Sequence, residues 1–364
     1  MRHDEVFPAD YAEARERFRQ AAPSAAWTLT SSPVDTRGPD GGPLTTDVLA
    51  SGEQCPERTL IVSSGLHGVE GFFGSAVLVG ALRSVFSEQG PPTGSRIVLV
   101  HALSPWGFAH RRRTDEHNVD PNRNFLVRGQ IFRGCAPEYE RLNDLLNPRH
   151  PPRRFDMFTV RAMAAICRSG LGAVKQAVAA GQYEHPHGLF FGGRERSSVA
   201  RHFMAMWPDW TRHARSVLHL DIHTGLGRSG RCKLLSSESP DDEHTSELTD
   251  LFGSGLLEFA GSSGVAYEAQ GDLGRWCREC YTVGDYCYLC AEFGTLSSLR
   301  VLAALRGENQ AHHFSSPSDP ARARAKHRLL EAFCPSSPRF RTRALNNALQ
   351  IIRQAFRWLD LPGE

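Results

Sequence analysis

The sequence has no apolar run approaching the roughly 18 residues that a membrane-spanning helix requires, so no such span is expected. It also has almost no excess of either charge. Its 42 basic and 40 acidic residues leave a formal charge of +2, too little for a polyanion-binding field. Basic runs such as His110 to Arg113 and Arg149 to Arg154 are short. The opening MRHDEVFPAD carries acids and no apolar stretch, so no secretory leader is expected and the cytoplasm is the expected compartment. Nine cysteines are an odd number, which speaks against a fully paired disulfide framework. Internal repeats and low-complexity segments are likewise missing. With 40% hydrophobic and 23% charged residues the composition is globular. A chain of 364 residues suits one large domain or two ordinary ones.

Periodicity organises the chain as α/β. Residues 5–22 read as an amphipathic helix, and Thr30 to Pro43, rich in Pro, Gly, Asp and Ser, reads as a loop. Leu44 to Ser51 is a candidate strand. The runs at Thr59 to Ser63, Arg96 to Ala102, Ser216 to Ile222 and Asp285 to Phe293 are short, apolar and bounded by turn residues, so they predict strands. Phe72 to Phe86 between the first two is of helical length, and strand–helix–strand at this spacing favours a parallel sheet. Helices are expected over much of 138–180 with a Pro-rich break, and at 198–210, 247–261, 297–308 and 341–361. We expect one domain over 1–364, with an insertion at 126–205. The polar stretch Ser104 to Phe125 is longer than ordinary loops, and such loops are usually functional.

One stretch concentrates chemistry: SSGLHGVEG, residues 63–71, follows the strand at 59–63. His67 and Glu70 sit at that strand's C-terminal end, where open α/β sheets place their sites. The strand ending at Ile222 brings His219, Asp221 and His223 onto one face by the two-residue period. His223 lies at the same level as His67 and Glu70. Two imidazoles and a carboxylate form a ligand set that leaves a fourth zinc position open. Asp221 is the natural holder of a ligand imidazole, and His219, deeper on the strand, reads as core. Glu292 ends a strand that is otherwise apolar, where an unpaired carboxylate is costly, so a role as general base is favoured over packing. The structural alternative is an ion pair with a loop arginine.

In the long loop, Arg123 between Asn122 and Asn124 offers a guanidinium fork plus amides, which suits a substrate carboxylate. Arg113 or Arg112 could polarise the scissile carbonyl. Four cysteines, Cys277, Cys280, Cys287 and Cys290, resemble a four-thiolate zinc site. The gap between the pairs is short, and residues three apart on a strand face opposite ways, so buried thiols are the preferred reading.

The motifs HGVEG, DPNRNF, DIHTG and EFGT occur in that order. Together they resemble the zinc carboxypeptidase superfamily, which also contains aspartoacylase and succinylglutamate desuccinylase. Within it the chain is similar to a bacterial branch of uncharacterised proteins carrying GLHGVEG, NVDxNRNF, DxHTGxG and EFGT. The resemblance implies a mixed, largely parallel sheet flanked by helices, with one Zn2+ bound by His67, Glu70 and His223 and with Glu292 as catalytic carboxylate. It further implies that Asn122 and Arg123 hold a substrate carboxylate and that Arg113, less surely Arg112, stabilises the oxyanion. Carboxypeptidases of the superfamily add a tyrosine upstream of the catalytic Glu. Tyr267, Tyr281, Tyr286 and Tyr288 lie in that region, none in a matching motif. The activity expected is hydrolysis of an amide bond next to a free carboxylate, on a small peptide. An N-acyl amino acid deacylase is the alternative, and a non-catalytic binding protein on the same fold is a second. No nucleic-acid or membrane partner is expected.

Overall fold

A computed structural model of the chain describes residues 5–87, 90–153, 155–236, 244–259 and 269–361. Eight strands form one sheet: β1 (Thr28–Arg37), β2 (Pro43–Gly52), β3 (Arg58–Ser64), β4 (Ser95–His101), β5 (Ser216–Thr224), β6 (Cys232–Ser236), β7 (Leu257–Phe259) and β8 (Asp285–Phe293). Their spatial order is β1-β2-β4-β3-β5-β8-β6-β7. The four central strands β4, β3, β5 and β8 run parallel. Antiparallel β1, β2 and β6 flank them, and β7 pairs parallel with β6 at the far edge. The fold is therefore α/β, with a mixed central sheet flanked by helices.

Alternation along the central strands fills both faces. Leu60 and Val62 on β3, Leu99 on β4, and Leu218, Leu220 and Ile222 on β5 point to one side. There they pack against α1 (Tyr11–Gln20), α2 (Gly71–Ser84), α8 (His244–Phe252) and α12 (Pro338–Trp358). Ile61, Val98, Val100 and Val217 point the other way, onto α7 (Ser198–Thr211) and α9 (Leu273–Cys280). That second face also receives His219, Asp221 and His223 by the two-residue period. The short α3 (Pro105–Ala109) interrupts the long loop after β4. Within the segment expected as an insertion, α4 (Pro137–Leu146), α5 (Phe158–Ser169) and α6 (Leu171–Ala179) gather around Tyr139, Leu142 and Phe158. They lean on Leu299 and Leu302 of α10 (Ser298–Phe314). Together with α11 (Pro320–Phe333), α10 closes over the strand ends, packing Val301 and Leu329 against Val69.

Several expectations need correction. Thr30 to Pro43 is mostly strand: β1 pairs with β2 along its length. As an edge strand it needs no buried face, and Pro33 is tolerated there because one side of the strand has no ladder partner. Residues 247–261 do not form one helix. Helix α8 ends at Phe252, β7 follows, and residues 260 and 261 lie outside those described. The expectations also missed β6, β7, α9 and α11. The central strands and α2 lie within a residue or two of where the apolar runs put them.

Candidate metal centre

Three chain segments converge at the C-terminal edge of β3, β5 and β8. After β3 the backbone turns at Gly65, whose φ of +67° is one that glycine adopts without strain. Gly68 then lies so close to Gly107 that a Cβ there would stand 2.0 Å from its carbonyl carbon. This tight passage leads into a single 3-10 turn, Gly68–Glu70, that sets His67 and Glu70 side by side. His67 Nδ1 lies 2.9 Å from Glu70 Oε1, and His223 Nδ1 lies 3.3 Å from Glu70 Oε2. One ligand atom from each of the three residues falls within 4.8 Å of the others, and all three side chains are buried. His67 Nδ1 is buried without a hydrogen-bond partner, since its approach to Glu70 lacks hydrogen-bond geometry. A buried nitrogen left over in this way, among two imidazoles and a carboxylate, fits a zinc ion with a fourth position open.

The outer imidazole nitrogens are equally well defined. His223 Nε2 meets Asp221 Oδ2 at 2.6 Å, and His67 Nε2 meets Asp120 Oδ1 at 3.1 Å. Carboxylates in these positions fix ring orientation, and where they accept the outer N–H of a neutral ring the Nδ1 lone pair is directed inward. Burial works against the His223 imidazolium, but Asp221 and Glu70 outweigh it and hold its pKa well above the ordinary value. Burial would raise Glu70 and Asp120 too. The two histidines pull Glu70 far down, while Arg113 and His67 do so for Asp120.

Beneath Asp221 runs a chain of donors with one consistent direction. Trp207 Nε1–H donates to Tyr286 Oη, whose hydroxyl lies 2.8 Å from His219 Nδ1. His219 Nε2 is 2.7 Å from Ser63 Oγ, which donates to Asp221 Oδ1 at 2.6 Å. Every link holds if His219 is neutral with its proton on Nε2. Burial pushes its pKa down to about 4, against Asp221's opposing pull, so the neutral ring prevails at neutral pH. His219 is thus core, as its depth on the strand suggests.

Glu292 lies opposite His223 in the β5–β8 register. It accepts a hydrogen bond from Leu226 N–H at 2.8 Å. Burial, then the neighbouring Glu70 charge, push its pKa up to about 7, a value suited to proton transfer near neutrality. Arg113 joins the same group: Nε donates to Asp120 at 2.9 Å and Nη1 to Glu70 at 3.3 Å, while Nη2 lies 2.7 Å from His67 Nε2.

The remaining loop residues are engaged differently. Arg112 is 1% exposed. Its Nε donates to both oxygens of Glu308 on α10, and Nη2 donates to Asn118 and Asn309. These hydrogen bonds tie the loop to α10, while Arg112 Nη1 is buried without a hydrogen-bond partner; a substrate role for Arg112 stays an expectation. Arg123 is 0% exposed, and its guanidinium donates to the backbone carbonyls of Ala179 and Asn122. Asn122 Oδ1 accepts from Leu273 N–H. The aromatic ring of Phe190, a residue with φ of +55°, covers both Arg113 and Arg123 at 5.3 and 5.9 Å. Tyr288 donates to Asp221, Tyr286 belongs to the donor chain, and Tyr281 donates to Ala214 O. Tyr267 lies outside the described residues. The four cysteines are free thiols that form no common metal-capable group among the described residues. Asp120 went unassigned in the sequence, although a metal-bound histidine calls for such a partner and Asp120 stands two residues before Asn122.

A family model described as "Protein of unknown function (DUF2817)" matches residues 7–347. The chain belongs to that family. No curated protein matches it. Among solved structures it is similar to carboxypeptidase A from Helicoverpa armigera, at 11% identity and a TM-score of 0.43, over 91% of this chain and 75% of that one. It is also similar to murein-tripeptide amidase from Escherichia coli O157, at 16% identity and a TM-score of 0.38, over 82% and 97% of the two chains. An aspartoacylase family protein from Mesorhizobium loti matches at 11% identity and a TM-score of 0.35, over 81% and 69%.

Proposed function

We propose that this protein is a zinc-dependent hydrolase that cleaves an amide bond next to a free carboxylate. One observation carries the reading: two buried imidazoles turn Nδ1 toward the two oxygens of one carboxylate, while separate aspartates hold their outer nitrogens. His67, Glu70 and His223 would hold the zinc, which supplies Lewis acidity to water and to the scissile carbonyl when bound. Glu292, with its raised pKa, takes a proton from the attacking water and delivers it to the leaving nitrogen. Arg113, anchored through Nε by Asp120, would donate to the carbonyl oxygen as it gains charge. Arg123 and Asn122 remain our assignment for the substrate carboxylate, which would replace backbone carbonyls as the guanidinium's partner.

The alternative, deacylation of an N-acyl amino acid, draws support from enclosure. His67, Glu70, His223 and Glu292 are all buried, and Phe190 covers the arginines. A small substrate suits such a site better than a long peptide. The deciding experiment incubates zinc-loaded protein with C-terminally free, C-terminally amidated and N-acylated substrates and identifies products by mass spectrometry. Hydrolysis requiring a free carboxylate, lost with the metal in His67→Ala and His223→Ala, is expected. Full metal content in both variants would overturn the assignment.

A further inference from the structure

A second cluster lies outside the candidate centre, where the segment after Phe125 meets α4. Cys135, Glu140 and His185 place one sulfur, one carboxylate oxygen and one ring nitrogen within 4.8 Å of one another. Backbone and side-chain hydrogen bonds fix their relation. Cys135 forms an isolated antiparallel bridge with Gln182, and Tyr183 N–H donates to Gly134 O at 2.9 Å. The Gln182 side chain then accepts from the backbone N–H groups of Glu184 and His185 and donates to His185 O, closing a tight turn. Glu140 stands in the first turn of α4, whose Tyr139 stacks on the His185 ring. Glu184 accepts from Gly134 N–H at 2.7 Å, tying the same two strands of chain together.

We propose that Cys135, Glu140 and His185 form a second divalent-metal site, of zinc type, sharing no residue with the His67–Glu70–His223 cluster. A surface ion pair accounts for the 2.7 Å contact of His185 with Glu140; the half-buried thiol beside them has a 3.6 Å contact with Ala136 O and faces the Glu140 carboxylate. A thiolate, an imidazole and a carboxylate are the three ligand types zinc takes, with water completing a tetrahedron. Burial, then the Glu140 charge, push the thiol up to about 11. A bound dication reverses that conflict, because the thiolate and carboxylate then face a shared positive charge. On binding, the Cys135 S–H bond breaks, sulfur bonds to the metal, and the proton passes to solvent. His185 binds as the neutral ring through the nitrogen that otherwise meets Glu140, the proton on that nitrogen passing to solvent from the imidazolium or to Nδ1 in the neutral ring. The site would pin the segment from Gln182 to Phe191 to α4, and with it Phe190, whose ring covers Arg113 and Arg123.

The test is titration of metal-free full-length protein with Co2+, read by stoichiometry and by the thiolate-to-cobalt charge-transfer band. Wild type is expected to show the band, and Cys135→Ser to lose it together with one equivalent. Glu140→Gln changes an exposed side chain and keeps the fold. It should weaken that equivalent by more than the roughly 10-fold lower bound for losing an outer partner. In a His67→Ala, His223→Ala double variant the band should persist, whether or not the other centre binds metal. A band that survives Cys135→Ser, or affinity unchanged by Glu140→Gln, would overturn the proposal. So would loss of all bound metal in the double variant.

Discussion

The two halves of the candidate site behave differently. The ligand half, His67, Glu70 and His223, comes together as spacing on strand ends suggests. Of the three arginines, Arg113 alone joins that group; Arg112 is bound up with Glu308, and Arg123 donates to Ala179 and Asn122. Strand geometry explains the contrast. A residue at a parallel strand's C-terminal end has its position set by register, so His223 and Glu292 must be neighbours once β5 pairs with β8. An arginine on a long loop reaches in many directions, and its partner is decided by whatever packs above it. Here that is α10 for Arg112 and the end of α6 for Arg123, elements far away in sequence.

The sharpest way to break this comparison is to remove the base while leaving the ligands. Glu292→Gln should retain zinc and lower kcat by about 10²- to 10⁴-fold, the range for a positioned general base. Near-normal turnover with metal bound would move proton transfer to another residue. Arg112→Met tests the opposite half. It leaves buried Glu308 with the 3.4 Å contact of Lys326 in place of two charged partners and should destabilise the fold by about 1–3 kcal/mol, measured by urea unfolding. KM should stay near wild type in the folded fraction. A large KM change with normal stability would assign Arg112 to the substrate.

These contrasts also mark what could be read from residues alone. The central strands, α2 and the His67–Glu70–His223 set were legible because burial on both faces writes continuous apolar runs, and the few polar residues at their ends stand out. The edge strand β1 was not: its face is largely exposed, so its Ser, Thr and Pro content looks like a loop. The short β7 carries too few residues to show any period. Asp120 was passed over because its neighbours Asn122 and Arg123 drew the same motif toward substrate. Its actual contacts, His67 and Arg113, are tertiary and could be anticipated only by asking what holds the imidazole.

Histidines sharpen the comparison further. His223 sits between Asp221 and Glu70 and is held protonation-prone, whereas His101 is buried at the end of β4 against Ser75 and the Phe18 ring. Burial, only partly offset by Asp47, pushes His101 down to about 4. In the unfolded chain a histidine titrates near 6.5, so the unfolded state binds more protons between the two values. The stability that comes from keeping His101 neutral is thus complete above about pH 6.5 and drains away as pH falls toward 4. The full loss is about 3 kcal/mol. Urea midpoints from pH 7 to 4 should fall more steeply in wild type than in His101→Asn. Parallel curves would show that His101 does not drive the acid sensitivity.

The smallest expected effect probes the residue that joins the two halves. Asp120 receives Arg113 on one oxygen and faces His67 Nε2 with the other, so it serves ligand and arginine at once. Asp120→Asn keeps the shape and removes the charge. Metal affinity should fall by about 10- to 100-fold, as for other lost partners of a ligand imidazole. With zinc in excess, a residual fall in kcat would then report the loosened Arg113, because the metal-dependent part has been restored. Separating the two requires kcat measured across a zinc titration. Full recovery at saturating metal would confine Asp120 to the histidine. A deficit that persists would show that the ligand half and the arginine half are coupled through this one carboxylate.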